Sequence, residues 1–161
     1  MTKSITVPEV TTFKFSAVTN YEINKEDLIN LLITAGQGIS YWGEVYVNFE
    51  PNKPYEQGYL KIEREGGIYI NINNLNLESK LFCLDYQCYE IEDKSEIEII
   101  KDKTIKDFIN SIKLIIESPN TKGSLKNSII DSLASKEYGY LDALDMDYIM
   151  QKTIFGSCVY G

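Results

Sequence analysis

Histidine is absent from all 161 residues. That removes Ser-His-Asp and Cys-His nucleophilic catalysis, histidine-based zinc sites and the usual proton shuttle near neutral pH. Neither a Walker A loop nor a GxGxxG fingerprint occurs. The nearest glycine pairs, Gly36/Gly38 and Gly66-Gly67, lack both the length and the strand-to-helix context. Cysteine is sparse: Cys83, Cys88 and Cys158 form no C-x-x-C pair and no structural zinc spacing, which fits a reduced, intracellular setting. No apolar run approaches the roughly 20 residues of a membrane helix. The opening MTKSITVPEVTTFKF has no long apolar stretch of a secretory leader. The expectation is a cytoplasmic protein with no membrane partner. Any enzyme here would have to run on carboxylates, lysines or a bound metal, so the chain is expected to be non-enzymatic and to need no cofactor.

Positive charge is also scarce. There are 16 basic against 24 acidic residues, a net charge of −8. Residues 51–100 hold ten acidic and five basic side chains, whereas 101–161 hold eight of each. The acidity is thus concentrated in the middle of the chain. This argues against direct nucleic-acid binding, which needs a basic stripe, and solubility alone is the simplest account of it.

What is present reads as one α+β domain over residues 1–161. Asn24-Lys-Glu-Asp27 resembles a capping box, Leu28, Leu31, Leu32 and Ala35 recur at helical spacing, and Gly36 is placed to stop the helix. Before it, Ser4–Phe15 alternates loosely as a strand interrupted by Pro8. From Trp42 to about Ile100 the period changes to two. Val45, Val47 and Phe49 alternate with polar neighbours, Tyr59–Ile62 and Ile68–Ile72 flank a hairpin at 63–67, and Leu81–Glu92 and Glu96–Ile100 follow. This predicts an antiparallel β-meander of four or five strands, packed against the N-terminal helix and two or three C-terminal helices. Thr104 caps the first of these, which Pro119 breaks. Gly123–Lys136 is the second. A third begins near Asp145, its cap, and ends at Gly156.

Glu90-Ile-Glu-Asp-Lys-Ser-Glu-Ile-Glu98 is the most unusual carboxylate constellation. A three-residue loop at 93–95 would set Glu92 opposite Glu96 and Glu90 opposite Glu98, all on one face. Opposed like charges are destabilising. The patch is therefore a solvated edge balanced by Lys94, Lys101 and Lys103, a surface for a basic protein partner with Tyr89 beside it, or a divalent-cation site, although no EF-hand spacing supports the last. Asp142, Asp145 and Asp147 superficially resemble metal-ligand spacing, but helix entry explains Asp145 and Asp147 more economically. Cys83 and Cys88 fall on opposite faces of a regular strand and read as packing residues.

Tyrosine is abundant, with twelve in the chain, alongside one tryptophan. Tyrosine suits interfaces and pockets but also half-buried strands. Tyr41, Trp42 and Phe155 are candidates to line a ligand pocket. For Trp42 the competing reading is core packing at the seam between helix and sheet.

Two stretches carry a resemblance. Asp27-Leu-Ile-Asn-Leu-Leu-Ile-Thr-Ala-Gly-Gln-Gly-Ile-Ser-Tyr-Trp42 is similar to a segment of small proteins of phages and other mobile elements, in which an apolar helix ends in a GGI-(N/S)-YW-like corner. Leu144–Gly161 is similar to their ending, a helix followed by FG-x-x-VYG. Together the stretches cover about a fifth of the chain. The chain departs from that pattern at Gln37, where the corner has adjacent glycines, and at Ser157-Cys158. The family supplies no catalytic residues. What it implies is context: small acidic proteins of mobile elements block host defence systems, as anti-CRISPR and anti-restriction proteins do, by occupying basic nucleic-acid-binding surfaces.

The expected function is therefore that of a phage or mobile-element accessory protein. It would inhibit a host protein with a basic nucleic-acid-binding surface, through Glu90, Glu92, Glu96, Glu98 and Tyr89. A small-ligand or nucleotide-binding module using Tyr41, Trp42 and Phe155 is the alternative, and a carboxylate- or metal-dependent hydrolase is the third.

Overall fold

A computed structural model describes residues 20–48, 59–61, 75–86 and 98–161, with the backbone alone at 59–61, 98, 99 and 101. In chain order the elements are α1 (Lys25–Gly38), β1 (Gly43–Asn48), β2 (Tyr59–Lys61), β3 (Lys80–Asp85), β4 (Glu98–Thr104), α2 (Ile105–Glu117), α3 (Gly123–Ser135), a 3-10 turn (Tyr138–Tyr140) and α4 (Ala143–Phe155). The class is α+β, with an antiparallel sheet and, among the described residues, four α-helices. The expected strand at Ser4–Phe15 and the hairpin at 63–67 lie outside the described residues.

Strand order differs from a simple up-and-down run. It is β2-β1-β3-β4, so β3 pairs with β1 rather than with β2. Composition accounts for this, because a central strand is covered on both faces. β1 and β3 carry Val45, Val47, Leu81, Phe82 and Cys83, all at most 1% exposed, whereas the outer β4 reads Glu-Ile-Ile-Lys-Asp-Lys-Thr. Val45 lies opposite Cys83 and Val47 opposite Leu81, and these four side chains join the main hydrophobic cluster. On the other face Tyr46 meets Phe82 edge-to-face at 5.8 Å. Burial pushes the Cys83 thiol up to about 12, and the nearby Asp85 charge adds to the shift. Cys83 is a packing residue, as its spacing suggested. Cys88 lies outside the described residues.

In the β3–β4 register Asp85 lies opposite Glu98, and Leu84 opposite Ile99. The expected pairing of Glu98 with Glu90 involves a residue outside the described ones. The register shifts by one residue between Leu81 and Cys83, a β-bulge or irregularity, and Leu81, Phe82 and Cys83 all stay buried.

The helices begin as local chemistry dictates. Asn24 accepts from the Asp27 N–H while the Asp27 carboxylate accepts from the Asn24 N–H, and Thr104 and Asp107 do the same for α2. α2 stops at Glu117, just before Pro119, and Gly156 ends α4 in the left-handed region at φ 75°. α4 starts two residues earlier than expected. Asp142 is its cap, accepting from the Asp145 N–H at 2.8 Å, so Asp145 sits in the first turn instead of capping it.

α1 likewise runs past Gly36 to Gly38. Within a helix a glycine weakens but need not stop the ladder, and the backbone N–H of Ile39 still reaches the Ala35 carbonyl at 3.1 Å. Two further glycines have a structural role, Gly38 and Gly43. A Cβ at Gly38 would lie 2.5 Å from the Ala143 carbonyl oxygen and 2.9 Å from the Asp147 nitrogen; one at Gly43 would lie 2.5 Å from the Leu84 oxygen. Both permit close backbone approach, α1 to α4 and β1 to β3.

A second tie joins α3 back to α1. Lys136, at φ 61° just past the end of α3, points its ammonium at the Asp27 carboxylate (2.8 Å) and at the Glu22 carbonyl. Burial raises the Asp27 pKa, but the Lys136 ammonium and the Asn24 N–H outweigh that and hold it below the ordinary carboxylate value. The Tyr138 hydroxyl faces the same carboxylate without a hydrogen bond of normal geometry.

Replacing Gly38 with alanine should destabilise the fold by about 1–3 kcal/mol through overpacking against backbone, read as a lower urea midpoint. Gly139→Ala, with nothing within 4 Å of the new methyl, should stay within about 0.5 kcal/mol. Because the Asp27 pKa is depressed on folding, its contribution is present above the unfolded value and is lost as pH falls through the folded one. Lys136→Met should therefore lower the urea midpoint at pH 7, by an amount that shrinks below about pH 4. A pH-independent difference would refute this account of the pair.

Candidate functional site

The chain leaves α1 through a tight turn in which the N–H groups of Trp42 and Gly43 both donate to the Ile39 carbonyl at 2.9 Å. This turn drops Tyr41 and Trp42 onto α4, which Gly38 has allowed to come close. Trp42 is fully buried. Its indole N–H donates to Asp147 Oδ1 at 2.6 Å, and the Tyr41 hydroxyl donates to Asp147 Oδ2 at 2.7 Å. Asp147 is itself 6% exposed. One helical turn on, fully buried Gln151 donates from Nε2 to Asp147 Oδ2 at 2.9 Å.

Gln151 extends the network to the segment after α4. Its Oε1 accepts from the N–H groups of Val159 (2.6 Å) and Tyr160 (2.7 Å), and its Nε2 also donates to the Tyr160 carbonyl at 2.8 Å. Tyr160 in turn donates its hydroxyl to both oxygens of buried Asp85, at 2.7 and 2.9 Å. The Tyr160 ring stacks on Trp42 with centroids 5.3 Å apart, and Phe155 closes the cluster at 5.4 Å from Trp42 and 5.9 Å from Tyr160. At the rim, burial and the Glu44 carboxylate push the Tyr86 hydroxyl up to about 12.

The three residues suggested as pocket lining are thus brought together. Phe155 packs on Trp42, and Tyr41 shares its carboxylate. They form a filled cluster rather than an open pocket, because the rings of Phe155 and Tyr160 lie against Trp42. The core-packing alternative for Trp42 describes what is observed. A cleft of about 600 Å³ lies apart from it, lined by Leu114, Ser118, Thr121, Tyr148, Lys152 and Gly156.

The aspartates of the LDALDMD stretch separate by role: Asp142 caps, Asp145 lies in the first turn, and Asp147 anchors the network. Helix entry does not explain Asp147. Burial pushes the Asp145 pKa up, with the Asp142 charge adding to it. Among the described residues no group of three or more cysteine or acidic side chains is placed to hold a metal ion, and no helix is long and apolar enough to cross a membrane. Tyr89, Glu90, Glu92 and Glu96 lie outside the described residues, and Glu98 is placed by its backbone on β4.

Sequence reasoning passed over Asp85, Gln151 and Tyr160. A signal for one existed. Asp147 and Gln151 stand four apart within a helix whose Met146, Ile149, Met150, Thr153 and Ile154 are all buried, and two polar residues inside such a stripe must satisfy each other or a third group. For Asp85 and Tyr160, separated by 75 residues, no local pattern could have paired them.

Comparison of the chain with models of protein families, with curated proteins and with solved structures finds no match. The chemistry of the network has to be read from its own groups. A carboxylate surrounded by neutral donors, inside a packed aromatic cluster, orders the corner and the last residues against the body.

Asp147→Ala would leave the buried Trp42 indole without its acceptor and take one acceptor each from the Tyr41 hydroxyl and the Gln151 amide, which still donates to the Tyr160 carbonyl. At about 1–3 kcal/mol for a buried donor left unpaired, the loss should be at least about 2 kcal/mol. Urea unfolding followed by the emission of Trp42, the sole tryptophan, measures it. Asp142→Ala, which removes only a cap, should cost about 1 kcal/mol.

Proposed function

We propose that this protein is a non-enzymatic accessory protein of a phage or related mobile element. It binds and inhibits a host nucleic-acid-handling or defence protein in the host cytoplasm, in the manner of anti-CRISPR proteins. The proposed contact surface is the acidic stretch carrying Glu90, Glu92, Glu96 and Glu98, with Tyr89 beside it, within an antiparallel sheet of four or five strands.

The observation that carries this reading is the placement of charge. Ten acidic residues against five basic ones fall in 51–100, while 101–161 is balanced. A concentrated acidic face accelerates and orients docking on a basic channel. The absence of histidine removes the commonest catalytic alternatives. The buried carboxylates Asp147 and Asp85 are engaged by internal donors and take no part in the acidic surface. The resemblance of the 27–42 and 144–161 stretches to small mobile-element proteins supplies the context.

The test is affinity capture from host lysate, then binding of the captured protein to the double variant Glu92→Lys/Glu96→Lys. The expected result is a loss of at least about tenfold in affinity, steeper at low salt, with the thermal midpoint unchanged. Equal binding by wild type and double variant would overturn the proposal.

A further inference from the structure

Beyond Gly156 the chain has no regular secondary structure, and Ser157, Cys158 and Val159 are exposed, Val159 by 56%. What holds this segment is a set of side chains supplied by three other places in the fold. Gln151 of α4 reads its backbone in both senses, accepting from Val159 and Tyr160 N–H and donating to the Tyr160 carbonyl. Trp42, from the α1–β1 turn, and Phe155 hold the tyrosine ring. Asp85, at the end of β3, takes the phenol proton in a two-armed hydrogen bond. An amide for the main chain, aromatic faces for the ring and a buried carboxylate for its hydroxyl together have the complementarity by which a domain recognises an extended peptide.

We propose that residues 157–161 occupy, within the same chain, a recognition site for an extended peptide presenting a tyrosine, and that a tyrosine-bearing segment of a partner protein displaces them. The groups contributed by the 157–161 segment are main-chain amides, one carbonyl and one tyrosine side chain, all of which another chain can present. The segment is joined to α4 through Gly156, an exposed glycine in the left-handed region with open space around it. The carboxylate at the base of the site sets specificity. Phenylalanine would leave Asp85 without the phenol donor, and phosphotyrosine would bring like charges together. This inference is independent of the acidic surface proposed above.

The resident segment competes at high effective concentration, so the test weakens it first. In the full chain, Val159→Pro deletes the N–H that bonds Gln151 at an exposed position, and Tyr160→Ala empties the aromatic slot. Each variant is titrated with a hexapeptide of residues 156–161, serine replacing Cys158, while Trp42 emission is followed. Saturable binding at least about tenfold tighter than to wild type is expected, weakened about tenfold by phenylalanine in place of tyrosine and lost with phosphotyrosine. The same titration of the wild-type chain to millimolar peptide, read from the Trp42 indole N–H resonance, covers the case in which a variant fails to fold. No peptide-dependent shift there, or no response in variants that keep wild-type circular dichroism, overturns the proposal. Dimerisation of the wild-type chain that depends on Tyr160 would make a second copy the occupant and overturn the assignment to a partner.

Discussion

The carboxylate of Asp147 is the group on which the described part of this fold converges. It sits on α4, 6% exposed, and accepts hydrogen bonds from Trp42, Tyr41 and Gln151. A buried carboxylate without such donors would be strongly unfavourable, and buried donors without it would be nearly so. Each group therefore enforces the placement of the others. Trp42 and Tyr41 can reach only if the end of α1 lies against α4, and that approach exists because Gly38 has no Cβ to meet the Ala143 carbonyl.

From that contact the consequences spread outward. The α1–β1 turn is fixed at both ends, by Ile39 accepting from Trp42 and Gly43 and by Tyr86 donating to the Trp42 carbonyl at 2.8 Å. This sets β1 in the middle of the sheet, with Val45 and Val47 facing the helices. Gln151 passes the same network to the chain beyond α4. The segment after Gly156 is thereby held by side chains from elsewhere in the fold, with Tyr160 packed against the core, and its main-chain and phenol contacts are ones that another chain could make. The Asp27–Lys136 pair plays a smaller, parallel role, joining the end of α3 to the first turn of α1 across the opposite end of the helix layer.

The two stretches that resemble mobile-element proteins, residues 27–42 and 144–161, meet at this network. The corner contributes Gly38, Tyr41 and Trp42; the ending contributes Asp147, Gln151, Phe155 and Tyr160. The physical content of those stretches is thus one packed unit. The acidity of the chain lies elsewhere, in the middle third, so the part that organises the fold is separate in sequence from the acidic stretch proposed to meet a host protein.

Local chemistry was legible without coordinates. The Asn24–Asp27 capping box, the Thr104 cap, the stop before Pro119, the glycine ending α4 and the apolar stripes of the helices follow from interactions within a few residues, and these survive whatever the rest of the chain does. The α+β class followed from the change of hydrophobic period. Tertiary structure decided the remainder. Gly36 could not be told from Gly38 until α4 was seen to pass within backbone distance of one of them. The cap of α4 is Asp142 and not Asp145, because the helix already begins at Ala143, where it packs against Gly38. The pairing of Glu98 with Asp85, and the order β2-β1-β3-β4, depend on which strands must be covered on both faces, and spacing along the chain does not encode that. Asp85 and Tyr160 are joined across 75 residues. Sequence determined which groups would need partners, because burial and charge are properties of each residue; only the fold determined which partners they found, because that is a matter of distance in space.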